Sequence, residues 1–182
     1  MKVENCSIDG LLVIEPQVFG DARGFFVEMW NRRRYRELGI SADFVQDNLS
    51  VSRKGTLRGL HFQNPGGQGK LVSVLQGEVY DVALDIRRSS PTFGRWHAVH
   101  LSAENKRQFF IPPGFAHGFQ VLSESAAFYY KCTEFYSPND ETVVRWDDPA
   151  IRIPWPLPGP ILSARDAAAA CLSGIAPERL FP

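Results

Sequence analysis

An excess of charge of either sign is missing from this chain: across 182 residues, 20 lysines and arginines offset 20 aspartates and glutamates one for one. No global basic field is present to draw in nucleic acid or an anionic membrane, so an anionic ligand has to be met by local groups. Cysteine is scarce too. Cys6, Cys132 and Cys171 form an odd set without CxxC spacing, which argues against a disulfide framework or a zinc knuckle and makes a reducing cytoplasm the expected setting. No apolar run approaches membrane-spanning length, and MKVENCSIDG puts Glu4 and Asp9 where a signal peptide needs an apolar core. A soluble, unexported protein is expected. No GxxxxGK[ST] or GxGxxG follows a strand and opens a helix, which removes support from nucleotide hydrolysis and dinucleotide redox chemistry.

Helix-forming stretches are few. Asn31 to Leu38, with Asn31 as a cap and Gly39 beyond, is one predicted helix, and Ser163 to Leu172, opening Ser-Ala-Arg-Asp ahead of an alanine run, is the other. What fills the chain instead is short β-like runs punctuated by Gly, Pro, Asn and Asp: LLVIEP, GFFVEMW, DFVQDNLSV, KLVSVLQ, EVYDVALDI, WHAVHLS, QFFIP, GFQVLS and AAFYYKCTEFY. This spacing predicts an all-β sandwich or barrel. The length suits one well-buried domain over residues 1–182. Gln76-Gly77 between two apolar runs predicts a hairpin turn. In EVYDVALDI, Tyr80, Val82, Leu84 and Ile86 share one face and Val79, Asp81, Ala83 and Asp85 the other, so that one face looks into a ligand space. An unbroken strand through YYKCTEFY would put Tyr130 and Tyr136 on one side. Strict alternation sends Arg58 and His61 to opposite faces of LRGLHFQ, and Gly59 between them is a place for a bulge that brings both inward.

Within these runs, His61, His117 and Tyr130 are proton-transfer groups in apolar surroundings, where a polar side chain needs a reason. The segment from His61 to Gln63 reads HxQ where a metal-binding barrel usually carries HxH, and two histidines fall short of the three protein ligands that catalytic zinc requires. Without a metal, an imidazole is a suitable general base, and a carboxylate has to fix its tautomer; Asp166 and Asp81 both qualify. Lys70 follows the glycine-containing loop NPGGQG and is placed to meet an oxyanion, or is a loop-end surface lysine. Arg23 and Arg58 suit a diphosphate through their planar forks. Phe25, Phe26 and Tyr136 either stack on a base or pack in the core.

The segments FGDARGFFVE, FVQDNLSVS, GTLRGLHFQ, QGKLVSVLQGEVYDVALDIR, SSPTFG, IPPGFAHGF, YYKCTEFYSP and WDDPAIRIPWP, in this order from about Gly10 to Asp166, resemble the dTDP-4-dehydrorhamnose 3,5-epimerases. The resemblance implies a cupin-type double-stranded β-helix, a jelly-roll barrel with short flanking helices, that works as a homodimer without metal or other cofactor on a dTDP-keto-deoxysugar. It implies His61 as the base, Tyr130 as the acid on the opposite face of the sugar, Asp166 as the partner of His61, and Lys70 at the enolate oxygen. Arg23, Phe26, Glu28, Gln46, Asn48, Arg58, His117, Tyr136, Glu141 and Arg165 match the substrate-binding set, with Tyr136 at the position that stacks on thymine. Arg165 stands where related enzymes often carry lysine. Two alternatives remain at this level: a monofunctional epimerase or ketoisomerase on a related dTDP-keto-deoxysugar, and a non-catalytic sugar-binding cupin.

Overall fold

A computed structural model describes residues 1–182. The strands are β1 (Lys2–Asn5), β2 (Leu12–Glu15), β3 (Val18–Asp21), β4 (Gly24–Val27), β5 (Gln46–Arg53), β6 (Leu57–Gln63) and β7 (Lys70–Gln76). They continue as β8 (Glu78–Asp85), β9 (Trp96–Ser102), β10 (Gln108–Ile111), β11 (Phe115–Val121), β12 (Ser125–Cys132) and β13 (Glu141–Val143), with helices α1 (Arg32–Glu37) and α2 (Ala164–Ala167). A six-stranded antiparallel sheet, ordered β1-β2-β10-β7-β12-β5, faces a five-stranded one, ordered β13-β6-β11-β8-β9, and β3-β4 forms a separate hairpin. No helix is long and apolar enough to cross a membrane.

Between the sheets lies the main core, in which Val72, Val74, Ala83, Phe119 and Phe128 pack together. Each fully buried branched or aromatic side chain of this kind contributes roughly 1.5–3 kcal/mol. The outer face of the five-stranded sheet is covered too: Val82, Leu84 and Ile86 meet Ile151, Leu172 and Leu180 from the C-terminal segment. The alternation in EVYDVALDI is thereby resolved, with Val79, Asp81 and Ala83 facing the barrel interior and the even-numbered residues facing this second core. On the other flank, Tyr35 and Ile40 pack α1 onto Ile14, Leu71 and Phe110. The cap of α1 is as the sequence predicts, since the Asn31 side chain accepts from the backbone N–H of Arg33 and Arg34.

Three local expectations meet the structure differently. The bulge forms: β11 residues His117 and Phe119 pair with His61 and Arg58, so β6 carries one extra residue over that stretch. Gly59 is required there, because its φ is +125° and a Cβ would lie 2.5 Å from the Gly118 Cα. Gln76-Gly77, by contrast, is not a hairpin turn. Gly77 has the positive φ of +78°, but β7 and β8 belong to different sheets, so the turn is a corner carrying the chain from one sheet to the other. The predicted Ser163–Leu172 helix shrinks to α2, because Ala170 is drawn into a bridge with Val144 and accepts from the Arg145 N–H. A four-residue helix has little stability of its own, so the tertiary pairing wins.

Candidate active site

The interior of the six-stranded sheet is a ladder of rungs. Gln46, Cys132 and Lys70 stand in register across β5, β12 and β7, then Asn48, Tyr130 and Val72, and then Ser50, Phe128 and Val74. Polar groups at one end thus give way to core residues within three rungs. Facing them, the other sheet aligns His61 with His117 and Ala83, and Arg58 with Phe119 and Asp81. The Gly59 bulge makes this second set possible by turning Arg58 and His61 to the same side.

His61 stands where three cavities meet. One, of about 170 Å³, is lined by Ser50, Arg58, Lys70, His117, Phe128 and Tyr130 among others. A second, of about 300 Å³, adds Gln46, Asn48, Gln68, Tyr136 and Glu141. The third, also about 300 Å³, lies on the Asp166 side with Arg58, Glu141 and Arg165. Every candidate site residue from β5 onward therefore lines one of these three adjoining cavities, all of which His61 borders. Tyr130 and Tyr136 converge on the second of them even though β12 ends at Cys132.

The imidazole of His61 is bonded through Nε2 to Asp166 Oδ1 at 2.7 Å. A carboxylate only accepts, so Nε2 carries the proton and Nδ1 is left without a partner in the protein, which is the tautomer a general base needs. Asp166 is held by its own backbone N–H, which donates to Ser163 Oγ at 3.1 Å. Burial pushes its carboxyl pKa up, but hydrogen bonding and charge from His61, with Ser163, bring it below the usual carboxylate range. Across the cavity, burial pushes the Tyr130 phenol above its ordinary value, aided by Cys132 and Glu141 and opposed by Arg58. Such a phenol keeps its proton until an enolate or carbanion demands it. Burial lowers the pKa of Lys70, and Cys132, Glu141 and Asp81 oppose that shift; an oxyanion arriving beside this ammonium group restores the charge balance.

A second His–Asp pair lies deeper. His117 Nε2 donates to both oxygens of Asp81 at 3.0 Å, and burial holds His117 below the ordinary imidazole value, with Asp81 pulling the other way. Asp81 thus pairs with His117, and Asp166 with His61, which settles the alternative the sequence left open. At the mouth, Tyr136 OH donates to Glu141 Oε2 at 3.0 Å, its N–H donates to Gln46 Oε1 at 2.9 Å, and Arg165 bonds Glu141. Half of Tyr136 remains exposed, so its ring face is available for stacking. Gln63 is no ligand. Its amide donates to the carbonyls of Gly66 and Phe135 and its oxygen accepts from the Ser137 N–H, tying β6 to two loops. No group of three or more His, Cys, Asp or Glu side chains is arranged to hold a metal ion.

Arg23, Phe26 and Glu28 are not brought to these cavities. Arg23 pairs with Asp21 on the exposed β3-β4 hairpin, where Arg23, Phe19, Phe25 and Phe26 line a separate recess of about 350 Å³. Glu28 faces Arg34 at 3.1 Å beside α1. Conversely, Gln68 and Ser50 line the cavities without having been singled out in the sequence. Gln68 lies in the loop NPGGQG, and Ser50 is two residues from Asn48 on the same inward face of β5, a period-2 signal that was there to be read.

A family model described as dTDP-4-dehydrorhamnose 3,5-epimerase matches residues 5–174. A curated relative of that name from Salmonella typhimurium is 57% identical over 175 residues, covering 94% of this chain and 96% of the relative. Among solved structures, a dTDP-6-deoxy-D-glucose-3,5-epimerase from Legionella pneumophila in complex with dTDP-4-keto-L-rhamnose is 56% identical, with a TM-score of 0.97 over 99% of this chain and 97% of that one. A 3'-monoepimerase from Streptomyces bikiniensis in complex with dTDP-quinovose is more distant, at 35% identity and a TM-score of 0.87 over 92% of this chain and 86% of that one. With the fold, the facing sheets and matches of this extent in agreement, the chain belongs to the dTDP-4-dehydrorhamnose 3,5-epimerase family, whose fold is the cupin-type β-barrel.

Proposed function

We propose that this chain, acting as one domain over residues 1–182, epimerises dTDP-4-dehydro-6-deoxy-D-glucose at carbons 3 and 5 to dTDP-4-dehydro-L-rhamnose, without a metal. The observation that carries the reading is the placement of the Asp166-paired His61 and the protonated Tyr130 on facing sheets that line one cavity with Lys70. The 4-keto group acidifies the hydrogens on its two neighbouring carbons. His61 Nδ1 removes one of them, the electron pair moves into the carbonyl to form an enolate, and Lys70 stabilises the negative oxygen in a site from which water is largely excluded. Tyr130 then delivers its proton to the same carbon from the other side, which inverts it. His61 loses its proton and Tyr130 regains one before the second carbon reacts. Arg58, Arg165 and the other polar groups at the mouth hold the nucleotide diphosphate, and Tyr136 stacks on the base, so that remote binding energy orients the sugar.

Inverting only one carbon is the second reading, favoured by the resemblance to the Streptomyces bikiniensis 3'-monoepimerase. Proton NMR of dTDP-4-dehydro-6-deoxyglucose incubated with the protein in heavy water separates them. Deuterium at both carbons with an L-rhamno product supports the first, deuterium at one carbon supports the second, and no exchange rejects both.

The working form is a homodimer in the cytoplasm. Phe19, Phe25 and Phe26 are 59%, 62% and 68% exposed on a hairpin where Lys106, 4.2 Å over the Phe25 ring, leaves most of the aromatic surface open, and Leu49, Val51 and Leu75 are exposed on the outer face of the six-stranded sheet. A second copy covers both surfaces. It also explains why Arg23, Phe26 and Glu28 match a substrate-binding set yet lie away from His61 in their own chain: the hairpin of one copy serves the site of the other. Light scattering that shows an active monomer across a wide concentration range would contradict this.

A further inference from the structure

Two buried side-chain oxygens lack a hydrogen bond, Glu28 Oε1 and Ser50 Oγ. Glu28 Oε1 still has an ion-pair partner in Arg34, 3.1 Å away. Ser50 Oγ has nothing. An unpartnered buried hydroxyl is unfavourable, and in a folded protein it calls for an explanation. Ser50 lies on the inward face of β5, one rung below Asn48 and Tyr130, beside Phe128. It lines the 170 Å³ cavity with Arg58, His61, Lys70, His117 and Tyr130, the groups on which the proposed reaction rests.

Its neighbour on the same face makes the contrast. Ser52 accepts from Arg58 Nε at 3.1 Å and so positions that guanidinium, whereas Ser50 has no protein group to hold and Phe119 and Phe128, stacked at 4.0 Å, close the space below it. No hydrogen bond within the protein requires a hydroxyl at Ser50. We infer that Ser50 is a substrate-binding residue that determines specificity: its hydroxyl turns about χ1 into the cavity and forms a hydrogen bond with an oxygen of the hexose ring, not with the nucleotide. A serine hydroxyl both donates and accepts, so it serves a keto or a hydroxyl oxygen, and it discriminates against a sugar that presents carbon or hydrogen there. The inference rests on the nucleotide-sugar reading of the site.

The test compares Ser50→Ala with the wild type, using dTDP and dTDP-glucose as binding probes, with a melting curve for each protein. The expected result is an unchanged or raised Tm, an unchanged Kd for dTDP, and a Kd for dTDP-glucose weaker by about tenfold, the factor expected for one hydrogen bond. Equal weakening toward both probes, no weakening toward dTDP-glucose, or a lowered Tm would overturn it, because each assigns the hydroxyl to the nucleotide, to nothing, or to the fold. Turnover of the keto-sugar by the wild type tests the underlying reading separately. A wild type that binds dTDP-glucose but turns nothing over rejects the epimerase reading and leaves the Ser50 comparison decisive.

Discussion

The two His–Asp pairs of the barrel are built from the same groups at different depths. His61 meets one oxygen of Asp166 at 2.7 Å, with 30% of its side chain exposed, whereas His117 meets both oxygens of Asp81 at 3.0 Å, with only 8% exposed. The shallower pair has what a general base needs: a fixed tautomer, a free ring nitrogen and access to a place where protons come and go. In the deeper pair, His117 borders the same cavity but is much less exposed. Desolvation holds His117 below the ordinary imidazole value, and Asp81 opposes the burial that lowers Lys70. In the proposed mechanism the first pair performs the chemistry and the second contributes to the electrostatics around it.

The largest expected effect of breaking this contrast is at His61. His61→Ala should lower kcat by about 10⁴-fold, the upper range for losing a general base, and abolish solvent exchange at both sugar carbons while nucleotide binding persists. Time-course NMR in heavy water measures turnover and exchange and a dTDP titration measures binding, and near-normal exchange would remove His61 from the role. The two carboxylates should then separate. Asp166→Asn should cut kcat about 10²-fold, because it disturbs the tautomer of His61. Asp81→Asn should cost about 1–3 kcal/mol of stability, because it disturbs a buried, fully used hydrogen-bonding group. Urea unfolding and steady-state kinetics on both variants give the comparison, and identical profiles would mean that depth does not divide their roles.

A smaller effect is expected in the pH dependence of stability. His117 has its folded pKa lowered from 6.5 by burial, with Asp81 opposing. The unfolded chain therefore takes up more protons as pH falls through 6.5, so stability is lost with acidification across that window. His97, lowered mainly by burial, acts in the same sense. Denaturation midpoints should thus fall as the solution is acidified from about pH 7 to about pH 5, and His117→Gln should flatten that slope without removing it. An unchanged slope would show that His117 is not the buried neutral imidazole described.

Much of this arrangement was legible in the chain. Period-2 alternation separated the two faces of β8 and put Tyr130 and Tyr136 on one side, Asn31 announced α1, and Gly59 between Arg58 and His61 announced a bulge. What failed did so for tertiary reasons. A positive-φ glycine at Gly77 serves a hairpin turn and a sheet-to-sheet corner equally well, and only strand pairing chooses between them. The alanine run after Asp166 has high helix propensity, yet a bridge to Val144 outweighs it. Beyond its period-2 spacing from Asn48, Ser50 carries no signal in the sequence, because a serine in a strand is ordinary until its hydroxyl is seen to lack a partner.

The central claim, that base and acid address opposite faces of one sugar carbon, is tested most directly by Tyr130→Phe in heavy water. Without the phenol, His61 can still form the enolate and return a deuteron to the face from which the proton came. The expected result is continued deuterium incorporation at the exchanging carbons with retained configuration, while inverted product falls sharply. Equal, large losses of exchange and of inversion would contradict the account, because they would mean that Tyr130 helps to form the enolate and does not act from the far side.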